Sequence, residues 1–352
     1  MITRTRRTRL IRAGALAVAG PLLAVGCGPG APTATPAVTP ASTGSAAPGA
    51  SAAPAPPYDV SALRKPGGRM LGVAAAGEAG DLAPVAAFAA KAGRAPDVRE
   101  YYYDWGQDFD GDGTAALWQN GQLPLMVWTP TNVPLSRIVS GAEDDYLRSF
   151  AKGVRSYPGP LAISFAPEMN ADWSDWGPSR TTSADFVQAW RHIHDVFRDQ
   201  QAVNVLWVWA PHANDMDRKV PLRPYYPGDD YVDWLGLVGY YGPTDGTAYS
   251  SLFTPTVKSL RAFSDKPLLI SETAVAEGPK KSAQIDDLFA GAAGTDGLIG
   301  LVWFDVNGRR PGVGPTDWRV DSSPAAAKEL VYAAAHAGFG WSPASARRTS
   351  SG

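Results

Sequence analysis

Two glutamates, Glu168 and Glu272, stand where apolar runs stop. The first follows Leu161-Ala-Ile-Ser-Phe-Ala-Pro and precedes Met-Asn-Ala-Asp-Trp173-Ser-Asp-Trp176-Gly; the second closes Pro267-Leu-Leu-Ile-Ser-Glu272. A pair of carboxyl groups facing each other across a cleft can break a glycosidic bond. One protonates the departing oxygen, and the other attacks the anomeric carbon or activates water. Trp173 and Trp176 support that chemistry, because they sit in a loop rich in Asp, Ser and Gly with no apolar partner nearby in sequence, and flat rings with a polar edge stack on sugars. The glutamates are 104 residues apart in the chain, so the fold must bring them together.

Eight apolar runs can supply that fold: Met70 to Ala74, Val98 to Tyr103, Leu123 to Trp128, Leu161 to Phe165, Val203 to Trp209, Val232 to Val238, Leu268 to Ser271 and Leu298 to Phe304. Most are continuous and not alternating, as in parallel strands covered on both faces. Helices are expected between them over Glu143 to Ser156, Ser183 to Gln200, Lys281 to Ala290 and Pro324 to His336. Ser183 is read as an N-cap, Phe186, Trp190, Ile193 and Phe197 as one buried face, and Pro324 as a first-turn residue. Eight β/α units over this length predict a (β/α)8 TIM barrel. In that fold chemistry sits at the C-terminal strand ends. Those ends offer Asp104, Trp105, Trp128, Glu168, Asn170, Trp173, Trp176, His212, Asn214, Tyr240, Tyr241, Glu272, Trp303 and Asp305.

Other signals read as structural. Trp190, Trp207 and Trp234 are expected in the core. Asp108-Phe-Asp110-Gly-Asp112-Gly113 fits the start of a calcium loop, but Gln119 stands where a bidentate glutamate is needed, so an Asp/Gly turn is the better reading. His192 and His194, two apart on an expected helix, face different sides. No phosphate-binding loop, dinucleotide fingerprint or nucleophilic-serine pattern occurs.

The N-terminus reads as a processing segment. Five arginines up to Arg12 precede an apolar stretch from Ala13 to Gly26, too short to span a bilayer and suited to a signal peptide. It ends Ala24-Val25-Gly26-Cys27, similar to a bacterial lipobox, which makes residues 1–27 the leader and Cys27 the lipidation site. Arg6-Arg7 leaves the export route open. Cys27 is the only cysteine, so no internal disulfide forms. Residues 28–57 hold no charge and little but Ala, Pro, Ser, Thr and Gly, the composition of a disordered tether that could reach about 90 Å at roughly 3 Å per residue. Residues 58–342 form the expected barrel domain and 343–352 a disordered tail. Removing the first 26 residues deletes five arginines and no acid, taking the net charge from −2 to −7. An acidic exported domain does not suit nucleic acid.

Together these residues resemble glycoside hydrolase family 26, over most of residues 68 to 335. The resemblance rests on Tyr101-Tyr-Tyr-Asp-Trp-Gly, the Glu168 to Gly177 loop, Asn204-Val-Leu-Trp-Val-Trp, Tyr231 to Tyr240, Pro267-Leu-Leu-Ile-Ser-Glu-Thr, Val302-Trp-Phe-Asp and Asp317-Trp-Arg-Val-Asp. It implies a retaining endo-β-glycosidase acting on β-1,4-mannan or β-glucan, with Glu168 as acid/base, Glu272 as nucleophile and their carboxyls about 5–5.5 Å apart. By the same resemblance Tyr240 bonds the nucleophile with Asp233 behind it, Trp303 is the platform under the cleaved sugar and Trp173 is a wall; from their places at the strand ends, Trp128, Asn170 and Trp176 are expected to complete the substrate contacts. No cofactor or metal is required, and a monomer held outside the cell at its membrane is expected. The chain departs from the family's R-x-x-H-E pattern, with Ser164 and Pro167 in place of arginine and histidine, and Val238 replaces an aspartate ahead of the tyrosine. The sugar therefore stays open, and a non-catalytic glycan-binding lipoprotein on the same fold is the rival reading.

Overall fold

The computed structural model describes residues 57–213, 220–243, 246–310 and 314–348. Cys27, almost all of the tether and Asn214 lie outside the described residues. Eight parallel strands close into a barrel in chain order: β1 Met70–Ala74, β2 Val98–Asp104, β3 Leu123–Thr129, β4 Leu161–Phe165, β5 Val205–Trp209, β6 Trp234–Tyr241, β7 Leu268–Val275 and β8 Leu298–Phe304. The helices are α1 Ser61–Arg64, α2 Ala83–Ala92, α3 Gly111–Gln119, α4 Leu135–Val139, α5 Asp144–Ser156, α6 Ser183–Asp199, α7 Tyr249–Leu252, α8 Thr254–Arg261, α9 Lys281–Ala293 and α10 Pro324–His336. A short hairpin, β9 Asn307–Arg310 and β10 Gly314–Asp317, follows β8. This is the TIM barrel expected from the eight runs.

Local chemistry sets the helix starts. Thr182, not Ser183, caps α6, its hydroxyl accepting from the Asp185 amide at 3.1 Å; Phe186, Trp190, Ile193 and Phe197 are buried as their spacing requires. Ser323 caps α10 ahead of Pro324. The Asp/Gly loop proves to be a helix start, with Asp110 capping α3 through the Gly113 amide at 2.8 Å. Asp110 thus serves as a helix cap.

The core has two layers. Inside the barrel, Met70, Ala74, Val98, Leu125, Ala162, Leu206, Trp234, Leu269 and Val302 pack together, and Val60 and Leu63 close the end remote from the site. Between strands and helices a larger layer holds Trp118, Trp128, Phe150, Trp190, Trp207, Trp209, Trp303 and Trp318. Each such side chain fully removed from water contributes roughly 1.5–3 kcal/mol. The chain end departs from expectation. Pro343–Arg348 forms a 3-10 turn and Ala346 is buried beside Val60 and Leu63, so the ordered domain continues to residue 348. One buried alanine is too small an apolar signal to read from sequence.

Strands β6 and β7 also reach beyond the apolar runs. Their ladder continues from Val238↔Glu272 to Tyr241↔Val275, so Glu272 and Tyr240 lie within strands and not after them. A charged residue ends an apolar run, but the backbone pairing carries on through it.

Candidate active site

Glu168 is positioned by a tight turn after β4. Ala166 and Glu168 both adopt left-handed backbone, at φ 44° and 57°, a conformation that costs a non-glycine residue roughly 1–3 kcal/mol. The turn is held by neighbours on both sides: the Ala166 amide donates to the Trp128 carbonyl at 2.9 Å and the Glu168 amide to the Ala210 carbonyl at 2.7 Å. Pro167 between them has no amide to satisfy. The Glu168 carboxyl then meets two groups. Oε1 lies 2.9 Å from His212 Nδ1, and the Trp173 indole donates to Oε2 at 3.2 Å. Trp173 stands edge-on to the His212 ring and is 46% exposed, leaving most of a face open to the cleft.

His212 is itself braced. Its amide donates to Asn170 Oδ1 at 2.8 Å and its carbonyl accepts from Asn170 Nδ2 at 2.9 Å. Close strand approach permits this arrangement. A Cβ on Gly236 would stand 2.5 Å from the Ala210 Cβ, so only glycine lets β6 lie against the segment that leads to His212.

Glu272 comes from an irregular stretch of β7. The register slips against β6 and against β8 around residues 270–273, and in consequence Ser271 and Glu272, neighbours in sequence, both line the cleft. A regular strand would turn one of them outward; a bulge turns both in. Glu272 is almost fully buried and receives hydroxyl hydrogen bonds on both oxygens, from Tyr240 on Oε1 and Tyr102 on Oε2. Tyr240 keeps its ring in place against Trp318 and Phe304.

Both glutamates line one cleft of about 320 Å³, with Tyr102, Thr129, Trp173, Asp175 and Trp176 around them. Its floor is polar. Glu100, Ser164 and Ser271 are buried there, and their side-chain oxygens have no hydrogen bond of ordinary geometry. Burial, with Glu272 close by, raises the Glu100 carboxyl well above the ordinary glutamate range. Arg99, next in sequence, is on the opposite side of the strand, donating to the Ala75 and Ala76 carbonyls at 3.0 and 3.3 Å.

The model of glycosyl hydrolase family 26 matches residues 145–279, a span that holds both glutamates. The chain is a relative of glycosyl hydrolase family 26. Endoglucanase H of Acetivibrio thermocellus is 29% identical over 248 residues, covering 66% of this chain and 27% of that protein. A mannan endo-1,4-beta-mannosidase of Bifidobacterium adolescentis is 28% identical over 128 residues, 35% of this chain and 13% of the other. The chain thus spans about a quarter or less of these two relatives. The same fold occurs in the catalytic domain of the family 26 endo-beta-1,4-mannanase of Bacillus sp. JAMB-750, at 15% identity and a TM-score of 0.60 over 78% of this chain and 88% of that one.

Against the family 26 expectations, the structure brings Glu168, Glu272, Trp173, Trp176 and Tyr240 to one place and separates others. Trp176 lines the cleft but is mostly buried, its indole donating to the Pro167 carbonyl at 2.6 Å. Asn170 reaches the site through His212, which it braces. Trp303 and Trp128 need correction as sugar contacts. Trp303 is fully buried in the outer layer with its indole on the Trp318 carbonyl at 3.0 Å, and Trp128 is stacked between Trp105 and Phe150. Strand alternation explains both: Val302 and Val127 face the barrel interior, so the next residue of each strand faces the helices. Asp233 does not support Tyr240. It lies just ahead of β6, accepting from the Trp207 amide at 2.9 Å and pairing with Arg64 at 3.0 Å. Tyr241 turns outward to Asp287, and Asp305 pairs with Lys91 and caps the Val320 amide. The sequence reading missed Glu100 and Tyr102 as site residues. Their signal was present: with Val98 they occupy alternate positions of β2, and a strand whose first inward residue is core carries the others inward too.

Proposed function

We propose that the chain hydrolyses a β-linked polysaccharide, with β-1,4-mannan and β-glucan as the candidates, through a glycosyl-enzyme intermediate. The observation that carries this reading is the contrasting company of two glutamates in one cleft. Glu272 accepts two tyrosine hydroxyls, which favour its ionised form, the nucleophile. Glu168 has instead the His212 ring at 2.9 Å and the indole of the exposed Trp173, a setting open to the cleft and suited to an acid that meets a sugar oxygen. Glu168 gives its proton to the glycosidic oxygen as Glu272 bonds to the anomeric carbon and the leaving sugar departs. Glu168, now a carboxylate, takes a proton from water, whose oxygen displaces Glu272 and restores the original anomeric configuration. Relatives named as an endoglucanase and a mannan endo-mannosidase support both the polymer and internal cleavage.

The amino-terminal sequence extends the proposal. The lipobox-like end at Cys27 and the uncharged segment after it fit an exported monomer tethered outside the cell by lipid. Changing Cys27 to Ser should move the protein from the membrane fraction to the soluble one; unchanged membrane association would refute the anchor.

Activity is tested by incubating the protein and its Glu272→Ala variant with mannans, mixed-linkage glucans and xylans and measuring new reducing ends. Release by the parent, lost roughly 10³-fold or more in the variant, is expected. Binding without release on every polymer would instead support the glycan-binding reading.

A further inference from the structure

The cleft contains a third carboxyl that the two-glutamate chemistry does not use. Glu100 is fully buried in β2, inside the barrel, at the level where β1 contributes Ala74 and β3 Leu125, by strand register. Its oxygens lie beside Glu272 and the Tyr102 hydroxyl without forming a hydrogen bond of ordinary geometry. The donors in the site are assigned elsewhere: Tyr102 and Tyr240 both give their hydroxyl hydrogens to Glu272. The one cation beside Glu100 in sequence, Arg99, directs its guanidinium to backbone carbonyls, including that of Glu100 itself. Toward the floor β4 presents Ser164 and β7 Ser271, which are uncharged, and β6 presents Val238. Glu168 and His212 pair with each other, Oε1 to Nδ1 at 2.9 Å.

We propose that Glu100 is a positioning residue for Glu272: it stays the neutral acid of a carboxylic acid–carboxylate pair and directs its proton at the nucleophile. Two adjacent buried carboxyls cannot both ionise cheaply, and Arg99, which favours the Glu100 anion, is outweighed by burial and by Glu272, so the pair shares one proton. The proton resides where the anion is least solvated. Glu272 accepts from two hydroxyls, whereas Glu100 has only the Tyr102 hydroxyl nearby and no bond of ordinary geometry to it, which places the charge on Glu272. Burial raising Glu100 acts in the same direction. The assignment rests on Glu272 being the nucleophile, whereas the location of the proton can be read without any activity.

Two measurements test it. First, infrared spectra of the purified protein, with glutamate carboxyls carbon-13 labelled so that buried Asp97 does not contribute, should contain a protonated-carboxyl band at neutral pH that Glu168→Gln leaves in place, separating it from the proton donor's own band, and that Glu100→Gln removes. Absence of that band in the parent overturns the proposal, and this arm holds even if no polymer is cleaved. Second, the acid limb of kcat/KM should stay in place in Glu100→Gln, whose amide still donates, and move up by about one pH unit in Glu100→Leu, which cannot. A downward move in both variants would mean that Glu100 was an anion repelling Glu272. No move in either would reduce Glu100 to packing. Both results contradict the proposal.

Discussion

Changing Tyr240 to Phe isolates the hydrogen bond that keeps Glu272 charged. The ring rests edge-on against Trp318 at 5.1 Å and Phe304 at 5.9 Å, contacts that phenylalanine keeps, so the change removes one hydroxyl and little else. A hydrogen bond to an ionised acceptor contributes about 1.5–3 kcal/mol. Its loss falls on the anion and not on the protonated form, so the Glu272 carboxyl should rise by about one to two pH units. Tyr102 donates to the other oxygen but is 47% exposed, where water can replace it; Tyr102→Phe should therefore raise Glu272 by less than about one unit. The assay is kcat/KM against pH, which reports the free enzyme. Below the limb the Tyr240 variant should be roughly 10- to 100-fold weaker than the parent, and near neutrality the gap should narrow. An acid limb that stays put, moves down, or moves further in Tyr102→Phe than in Tyr240→Phe would refute this account of the nucleophile.

Three further outcomes are expected. Trp173→Ala should raise KM by about tenfold through loss of a stacking face, with Tm unchanged because the ring is half exposed; an unchanged KM would remove Trp173 from the sugar site. Trp128→Ala should do the reverse, costing about 3–5 kcal/mol in denaturant unfolding as a cavity opens between Trp105 and Phe150, without a selective rise in KM. Glu100 gives stability a pH dependence. Folding raises its carboxyl above the value of the unfolded chain, so between those two values the folded state holds a proton that the unfolded state has released. Stability should accordingly fall as pH rises through that window, by up to about 1.4 kcal/mol per unit, and Glu100→Gln should flatten the difference. Urea unfolding of both proteins from mildly acidic to alkaline pH measures it; parallel curves would contradict the buried neutral acid.

Much of this architecture was legible in the chain because a TIM barrel is written in repeats. Continuous apolar runs named all eight strands, and the placement of chemistry at their C-terminal ends brought Glu168 and Glu272 to one cleft. The errors have a common physical origin. Reading each strand end as a rim leaves out side-chain alternation, and so places Trp128 and Trp303 in the cleft although Val127 and Val302 already face inward. The same alternation applied to Val98, Glu100 and Tyr102 would have found the floor acid and the second tyrosine. Other features depend on contacts that no local pattern encodes. The bulge that turns Ser271 and Glu272 to the same side arises from register slips against two neighbouring strands. The left-handed backbone at Ala166 and Glu168 is imposed by hydrogen bonds to β3 and to the segment after β5. His212 stands 44 residues beyond Glu168 in sequence, yet its ring meets that carboxyl.

The central claim is that Glu272 attacks the anomeric carbon while Glu168 exchanges the proton. Proton NMR of a freshly mixed reaction on the polymer that the protein cleaves, recorded before mutarotation, tests it directly. A β-configured reducing end appearing first is the expected result, since two displacements preserve the original configuration. An α-configured first product would mean that water, and not Glu272, is the attacking group, and would contradict the account.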